Sequence, residues 1–200
     1  YGAQFYECEV LGLKASGHQI EIETNGDNIQ ANTVVLAMGP WTGMVEEWLK
    51  VPVPVYPLKG QILRMDLPGP TMNHSLHHNS NYAGEKADGL VWIGTTEERV
   101  GFDDKISYES RNQIIRDVAT FLPSVLDGNL VRQTACLRPV TPDGLPIIGQ
   151  VPGWDNVYLS TGAGRKGIIL SPSMGIMTAN LVLGKDNKIP VDIFSPERFK

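Results

Sequence analysis

The chain has 200 residues, 42% apolar and 20% charged, with a formal net charge of −5. That suits one or two ordinary globular domains and gives no electrostatic reason to expect nucleic acid or an anionic membrane as a partner. Two cysteines, Cys8 and Cys136, do not make a disulfide framework, no apolar run is long enough to span a bilayer, and with no signal peptide in view a reducing cytoplasm is the default compartment.

In chain order, residues 9–13 read as a strand. Residues 19–23 alternate apolar and polar, Asn25-Gly26 is a hairpin turn signal, and residues 29–31 return. Residues 33–38 form a continuous apolar run ended by Gly39-Pro40, which predicts a strand buried on both faces. Residues 41–49 suit a short helix, and the proline-punctuated stretch 51–57 suits a crossing between domains. Residues 60–67 then read as a strand with Leu63, Met65 and Leu67 on one face.

Residues 72–81 are polar and carry His74, His77 and His78. Without a cysteine or a well-spaced carboxylate to complete a metal site, they read as a solvated loop. Residues 90–96 form another strand. The clearest helix is 107–122, with Ile115, Val118 and Leu122 on one face, Ser107 as its cap and Pro123 as its stop. Strands at 130–137 and 157–161 follow, then a helix from about 166 to 183 ended by Gly184.

The most informative stretch joins the last two strands and the last helix. Arg138 leaves an apolar strand and precedes a proline, which biases it to an extended conformation and fixes the direction of its side chain. Its fork matches a carboxylate in bidentate fashion; the competing role is a structural ion pair with Asp143 or a bond to a carbonyl. Arg165 follows inside a glycine cluster at a helix start. Two guanidinium groups near a helix N-terminus suit a small carboxylate beside an electron-rich cofactor. No Ser-His-Asp pattern, P-loop or zinc ribbon occurs.

The pattern Arg138-Pro139-x-Thr141-x-Asp143-Gly144-x-Pro146-x-Ile148-Gly149, then Gly162-x-Gly164-Arg165-x-Gly167-Ile168-x-Leu170-x-Pro172, resembles the C-terminal half of the D-amino-acid oxidase and glycine oxidase family of FAD-dependent enzymes. Residues 34–41 (Val-Val-Leu-Ala-Met-Gly-Pro-Trp), 57–61 (Pro-Leu-Lys-Gly-Gln) and 91–96 (Val-Trp-Ile-Gly-Thr-Thr) fit the same family in the same order. Family members open with a βαβ unit whose Gly-x-Gly-x-x-Gly turn cradles the FAD pyrophosphate. This chain has no such turn, so the resemblance implies a piece of a longer flavoprotein, inactive by itself. The remaining FAD-binding half would come in cis or from a partner subunit.

The implied fold is α+β. Residues 51–137 would form a substrate-binding domain, a mixed or antiparallel sheet with a helix packed on its back. Residues 1–50 and 138–200 would form the C-terminal part of a glutathione-reductase-like FAD-binding domain. The implied reaction is oxidation of glycine, sarcosine or a D-amino acid by hydride transfer to flavin. The resemblance assigns substrate binding to Arg138, Arg165 and Tyr82. It assigns FAD contact to Val10 and to Gly162, Ala163, Gly164, Arg165, Lys166, Gly167, Ile168 and Ile169. No side chain is needed as catalytic acid or base, and no metal is called for. Tyr82 has a competing reading as a surface residue of a mobile loop. Cys136 falls where some relatives link flavin covalently, but is expected as a buried small hydrophobe. The rival from another class is a binding or assembly module of the same descent without catalysis. A glycerol-phosphate-type substrate is disfavoured by the paired arginines.

Overall fold

The computed structural model describes residues 2–200. The chain divides into two compact units, one made of Tyr1–Tyr56 with Pro139–Lys200 and the other of Pro57–Arg138. The first strand, β1 (Val10–Ser16), pairs antiparallel with β2 (Gln19–Thr24), which pairs antiparallel with β3 (Ile29–Ala31). The β2–β3 connection is wider than a two-residue hairpin turn. Thr24 organises it: its hydroxyl donates to the Asp27 carbonyl at 2.9 Å and accepts from the Gly26 amide at 3.0 Å.

Strand β4 (Val34–Leu36) buries Val34 and Leu36 but leaves Val35 43% exposed. The expectation of burial on both faces is therefore corrected: β4 is an edge strand with only one covered face. After it, residues 39–49 are not one helix. Pro40 opens a 3₁₀ segment, Gly39–Val45, that passes into a single α-turn, α1 (Glu46–Leu49).

The middle unit is a sheet backed by a helix. Strand β5 (Tyr56–Asp66) is an interior strand, with β6 (Leu76–His78), β7 (Asn81–Glu85) and β8 (Val91–Gly94) on one side in antiparallel succession. Helix α2 (Tyr108–Ala119) starts where Ser107 accepts the Ser110 amide in its side chain at 3.2 Å. It ends sooner than its periodicity predicts, because the Thr120 hydroxyl bonds the Asp117 carbonyl. Ile114 and Val118 are its buried contacts, with Ile115 partly buried beside them. They pack on Leu63, Met65, Ala83, Val91 and Ile93 of the sheet. Strand β9 (Asn129–Val140) completes the sheet next to β5.

The chain then returns to the first unit. Strands β10 (Ile147–Gln150) and β11 (Val157–Thr161) are antiparallel, and β11 pairs with β4 in parallel, Val157 opposite Val34. Helix α3 (Gly167–Val182) packs against β10 and β11, where the Thr178 hydroxyl lies 3.0 Å from that of Ser160. Pro172 inside α3 deletes one helical N–H; the Ser171 hydroxyl bonds the Ile168 carbonyl this leaves, at 2.9 Å. The core of this unit joins Leu13, Ile20, Leu36, Val45, Leu49, Ile147, Val157 and Leu159.

Candidate functional site

Arg138 lies near the carboxyl end of β9, in the sheet of the middle unit, rather than on the loop that follows. Its guanidinium lies flat on Gly60 of β5: a Cβ on Gly60 would sit 2.0 Å from both terminal nitrogens. One terminal nitrogen donates to the Thr95 hydroxyl at 2.9 Å, the other to the Thr96 carbonyl at 3.3 Å. A guanidinium has five N–H donors, so three remain, enough for a bidentate carboxylate. Among the described residues no carboxylate pairs with Arg138. Asp143, the partner a structural role would have used, is held instead by Arg198 at 2.7 Å. The alternative bond to a carbonyl is present, through Thr96.

Behind Arg138 runs a polar network that the sequence pattern did not flag. Lys59, 3% exposed, reaches Asp103 at 2.9 Å, Glu98 at 3.4 Å and the Lys105 carbonyl at 3.1 Å. Gln61 is fully buried: it donates to Glu98 at 2.9 Å and accepts from the Ser107 amide at 3.0 Å and from the Gln133 amide group at 2.8 Å. Burial pulls the Lys59 ammonium down, but the hydrogen bond to Asp103 and the charge of Glu98 outweigh it and hold its pKa above the usual lysine value. Burial likewise pushes Glu98 up, and hydrogen bonds from Thr96, Gln61 and Ser110 with the Lys59 charge bring it below the usual carboxylate value. The signal was available in the sequence: residues 59, 61, 63 and 65 share one strand face, where Lys59 and Gln61 break an apolar pattern.

Tyr82 sits in β7, half-buried, so the mobile-loop reading is corrected. Its ring stacks on His77 of β6 at 6.1 Å, and its backbone lies opposite Gly94, the residue before Thr95. Tyr82 and Arg138 therefore belong to one sheet, each one step from the Gly94–Thr96 segment. The histidines are exposed as expected, and His74 lies outside the strands, but the loop expectation is corrected for His77 and His78, which are strand residues paired with Tyr82 and Asn81. Among the described residues no three His, Cys, Asp or Glu side chains are grouped to hold a metal ion.

The glycine cluster lies in the other unit, between β11 and α3. Gly162 has φ +81°, and a Cβ there would stand 2.7 Å from the Thr141 methyl, so close packing against Thr141 by itself requires glycine. Gly164, Arg165 and Lys166 form a 3₁₀ turn after Ala163, and α3 begins at Gly167 without a side-chain cap. Arg165 and Lys166 are exposed there, and Ile168 and Ile169 are 92% and 78% exposed. Val10 opens β1, in the β1–β2–β3 sheet, whereas this turn follows β11 of the β10–β11–β4 sheet. Arg138 and Arg165 fall in different units. Cys136 is exposed, not buried as expected, because β9 is the edge strand of its sheet.

Helix α3 is apolar on nearly every side, a composition that belongs in an interior, yet Ile176 and Leu183 are exposed. Between α3 and the open face of β4 runs an apolar groove of about 400 Å³, lined by Val35, Ala37, Gly175, Ala179, Val182 and Leu183 among others.

An α+β chain of mixed sheets and few helices is also the architecture of a solved glycine oxidase, that of Geobacillus kaustophilus. The match has a TM-score of 0.92 at 28% identity, over 97% of this chain and 53% of that one. Residues 1–181 match the FAD dependent oxidoreductase family, and the chain belongs to that family. The glycine oxidase of Pseudomonas aeruginosa is 32% identical over 191 residues, 95% of this chain and 52% of the relative. The D-amino acid dehydrogenase of Neisseria gonorrhoeae is 28% identical over 204 residues, 100% of this chain and 48% of the relative. The chain thus spans about half the length of the curated relatives it matches. No helix among the described residues is long and apolar enough to cross a membrane.

Membership of the family implies FAD in the whole protein. The residues present fit that group in chemistry. An uncapped helix N-terminus with two cationic side chains suits anionic atoms, and Ile168 and Ile169 offer apolar surface to a flat ring.

Proposed function

We propose that this chain carries the substrate-carboxylate site and part of the cofactor site of an FAD-dependent oxidoreductase acting on the carbon–nitrogen bond of a small amino acid or amine. The observation that carries this reading is Arg138: a half-buried guanidinium whose protein partners are a neutral hydroxyl and a neutral carbonyl. A positive charge left without a counter-ion awaits an anion of matching geometry.

In this reading the middle unit is the substrate domain, and the outer unit belongs to the cofactor domain. Arg138 binds the substrate carboxylate and so anchors that end of the substrate. Tyr82 bounds the pocket from the same sheet, and Arg165, in the turn before α3, offers a second guanidinium to an anionic group. The amides of residues 162–169 and the positive end of α3 favour negative charge on the ring edge they face. Val10 contacts the far end of the cofactor. FAD, when bound, supplies the hydride acceptor. The apolar groove beside β4 seats the rest of the cofactor domain, contributed by the same polypeptide or by a partner subunit.

The test uses the protein expressed from its complete reading frame, loaded with FAD. Glycine, sarcosine and D-alanine are added without oxygen while flavin absorbance is followed. At least one should bleach the flavin, and Arg138→Ala should remove that bleaching at concentrations that saturate the unmodified protein. A flavin-loaded protein indifferent to every amino acid and amine offered overturns the proposal.

A further inference from the structure

We infer that Gly60 and Thr95 are positioning residues for Arg138: together they form a socket that aims its guanidinium before any ligand arrives. The inference rests on the proposed role of Arg138 in carboxylate binding.

The socket has a floor and a peg. The floor is the bare Cα of Gly60, over which the guanidinium lies. A side chain there would meet the central carbon of the guanidinium at 2.1 Å and both terminal nitrogens at 2.0 Å. Any residue but glycine displaces the fork from this plane.

The peg is the Thr95 hydroxyl. It has one proton to give, and the nearer of the two carbonyls in reach, that of Gln61, takes it at 3.0 Å. The lone pairs are thereby turned toward Arg138, whose terminal nitrogen donates to the same oxygen at 2.9 Å. Thr95 is buried, which favours this partner over water. The Thr96 carbonyl receives the second terminal nitrogen, and the Thr96 backbone is held in turn, its amide donating to the Gln61 carbonyl at 3.4 Å.

The socket takes up two donors and fixes the plane of the remaining three. A long, flexible side chain is converted into a fixed fork, and the rotamer entropy that a carboxylate would otherwise have to offset is removed beforehand. Both residues act through Arg138 and neither need touch the ligand, so their loss should weaken carboxylate capture and leave the chemistry at the amine end largely intact.

The test uses the FAD-loaded protein from the complete reading frame, with acetate as the probe of the carboxylate subsite, followed by calorimetry, and with steady-state kinetics on the best amino-acid substrate. Thr95→Val keeps the shape of the side chain and deletes the acceptor; Thr95→Ser keeps the acceptor. Thr95→Val should weaken acetate binding and raise KM about 10-fold, the usual worth of a hydrogen bond to a charged group, with kcat changed far less, and Thr95→Ser should restore both to within about 3-fold. Gly60→Ala should reproduce the acetate defect and serves as the second variant if Thr95→Val fails to fold. If Arg138→Ala loses acetate while Thr95→Val and Gly60→Ala bind it as the unmodified protein does, the socket is refuted and the reading of Arg138 stands. If Arg138→Ala itself retains acetate, both fall.

Discussion

Arg198, close to the C-terminus, grips Asp143 from 55 residues away: its Nε lies 2.7 Å from one carboxylate oxygen and a terminal nitrogen lies 3.4 Å from the other. The same guanidinium donates to the carbonyls of Leu145, Pro146, Phe194 and Ser195. The final residues of the chain are thus tied to the turn that connects β9 with β10.

This clamp has a pH signature. The hydrogen bond from Arg198 lowers the Asp143 pKa to about 2; burial opposes it, and the Leu145 amide assists. The folded-state value is depressed, so the contribution is present above the unfolded value near 4 and is lost as pH falls towards 2. Arg198→Ala should cost about 1–3 kcal/mol near neutrality. The gap between denaturant titrations of the two proteins should narrow from about pH 7 to 2 as Asp143 protonates, the remainder being the bonds of Arg198 to backbone carbonyls. Parallel curves across that range would show that the clamp is not what depresses Asp143.

The Lys59 triad should behave oppositely at the alkaline end. The Lys59 pKa is raised in the folded state, so its contribution is complete below the unfolded lysine value and disappears as pH rises through the folded one. Lys59→Met leaves Glu98 and Asp103 without their cation. Both carboxylates keep some access to water, so the cost should fall near the lower end of the range for a broken buried pair, about 3 kcal/mol. The penalty, read from denaturant midpoints, should shrink above about pH 10.5. A penalty independent of pH would assign the loss to packing of the lysine stem.

Helix α2 offers a sharper test of which face is buried. The sequence period pointed to Ile115, whereas Ile114 is the buried residue against the sheet. Ile114→Ala should cost about 2–4 kcal/mol and Ile115→Ala clearly less. Equal losses in thermal melts of the two variants would contradict the observed rotation of the helix.

Ile114 also shows where sequence reading stops. Ser107, the β11 segment and the limits of α3 were legible, because a cap, a short apolar run and a helix-ending glycine are local signals. Neighbouring helix residues differ by only about 100° in direction, so which one meets the sheet depends on the partner surface. Val35 escaped for a related reason: an apolar run does not say how many of its faces are covered. In the candidate site Arg138 stood out from its motif, but Gly60 and Thr95 did not. Their meaning arises only when β5, β8 and β9 lie side by side, and strand order is a long-range property that no local pattern records. The polar strands β6 and β7 were missed because their segment is rich in asparagine (Asn73, Asn79, Asn81), which is depleted in strands, and they pair through the backbone with no apolar alternation to mark them.

Gly162 lies at the junction of the glycine turn and the Thr141 loop, and two separate costs meet there. Its φ of +81° disfavours any L side chain, and an added Cβ would stand 2.7 Å from the Thr141 methyl. Thr141 is itself pinned: it is 4% exposed and its hydroxyl donates to the Leu145 carbonyl at 2.8 Å. Gly162→Ala should therefore destabilise by about 2–5 kcal/mol, the sum of the backbone cost and overpacking. Thr141→Ser removes the obstructing methyl and keeps the hydroxyl. Combined with Gly162→Ala it should recover the overpacking part, about 1–3 kcal/mol, and leave the backbone part in place. A double-mutant cycle by denaturant unfolding separates the two: strict additivity would mean that the backbone conformation alone, and not the approach of Thr141, requires glycine here.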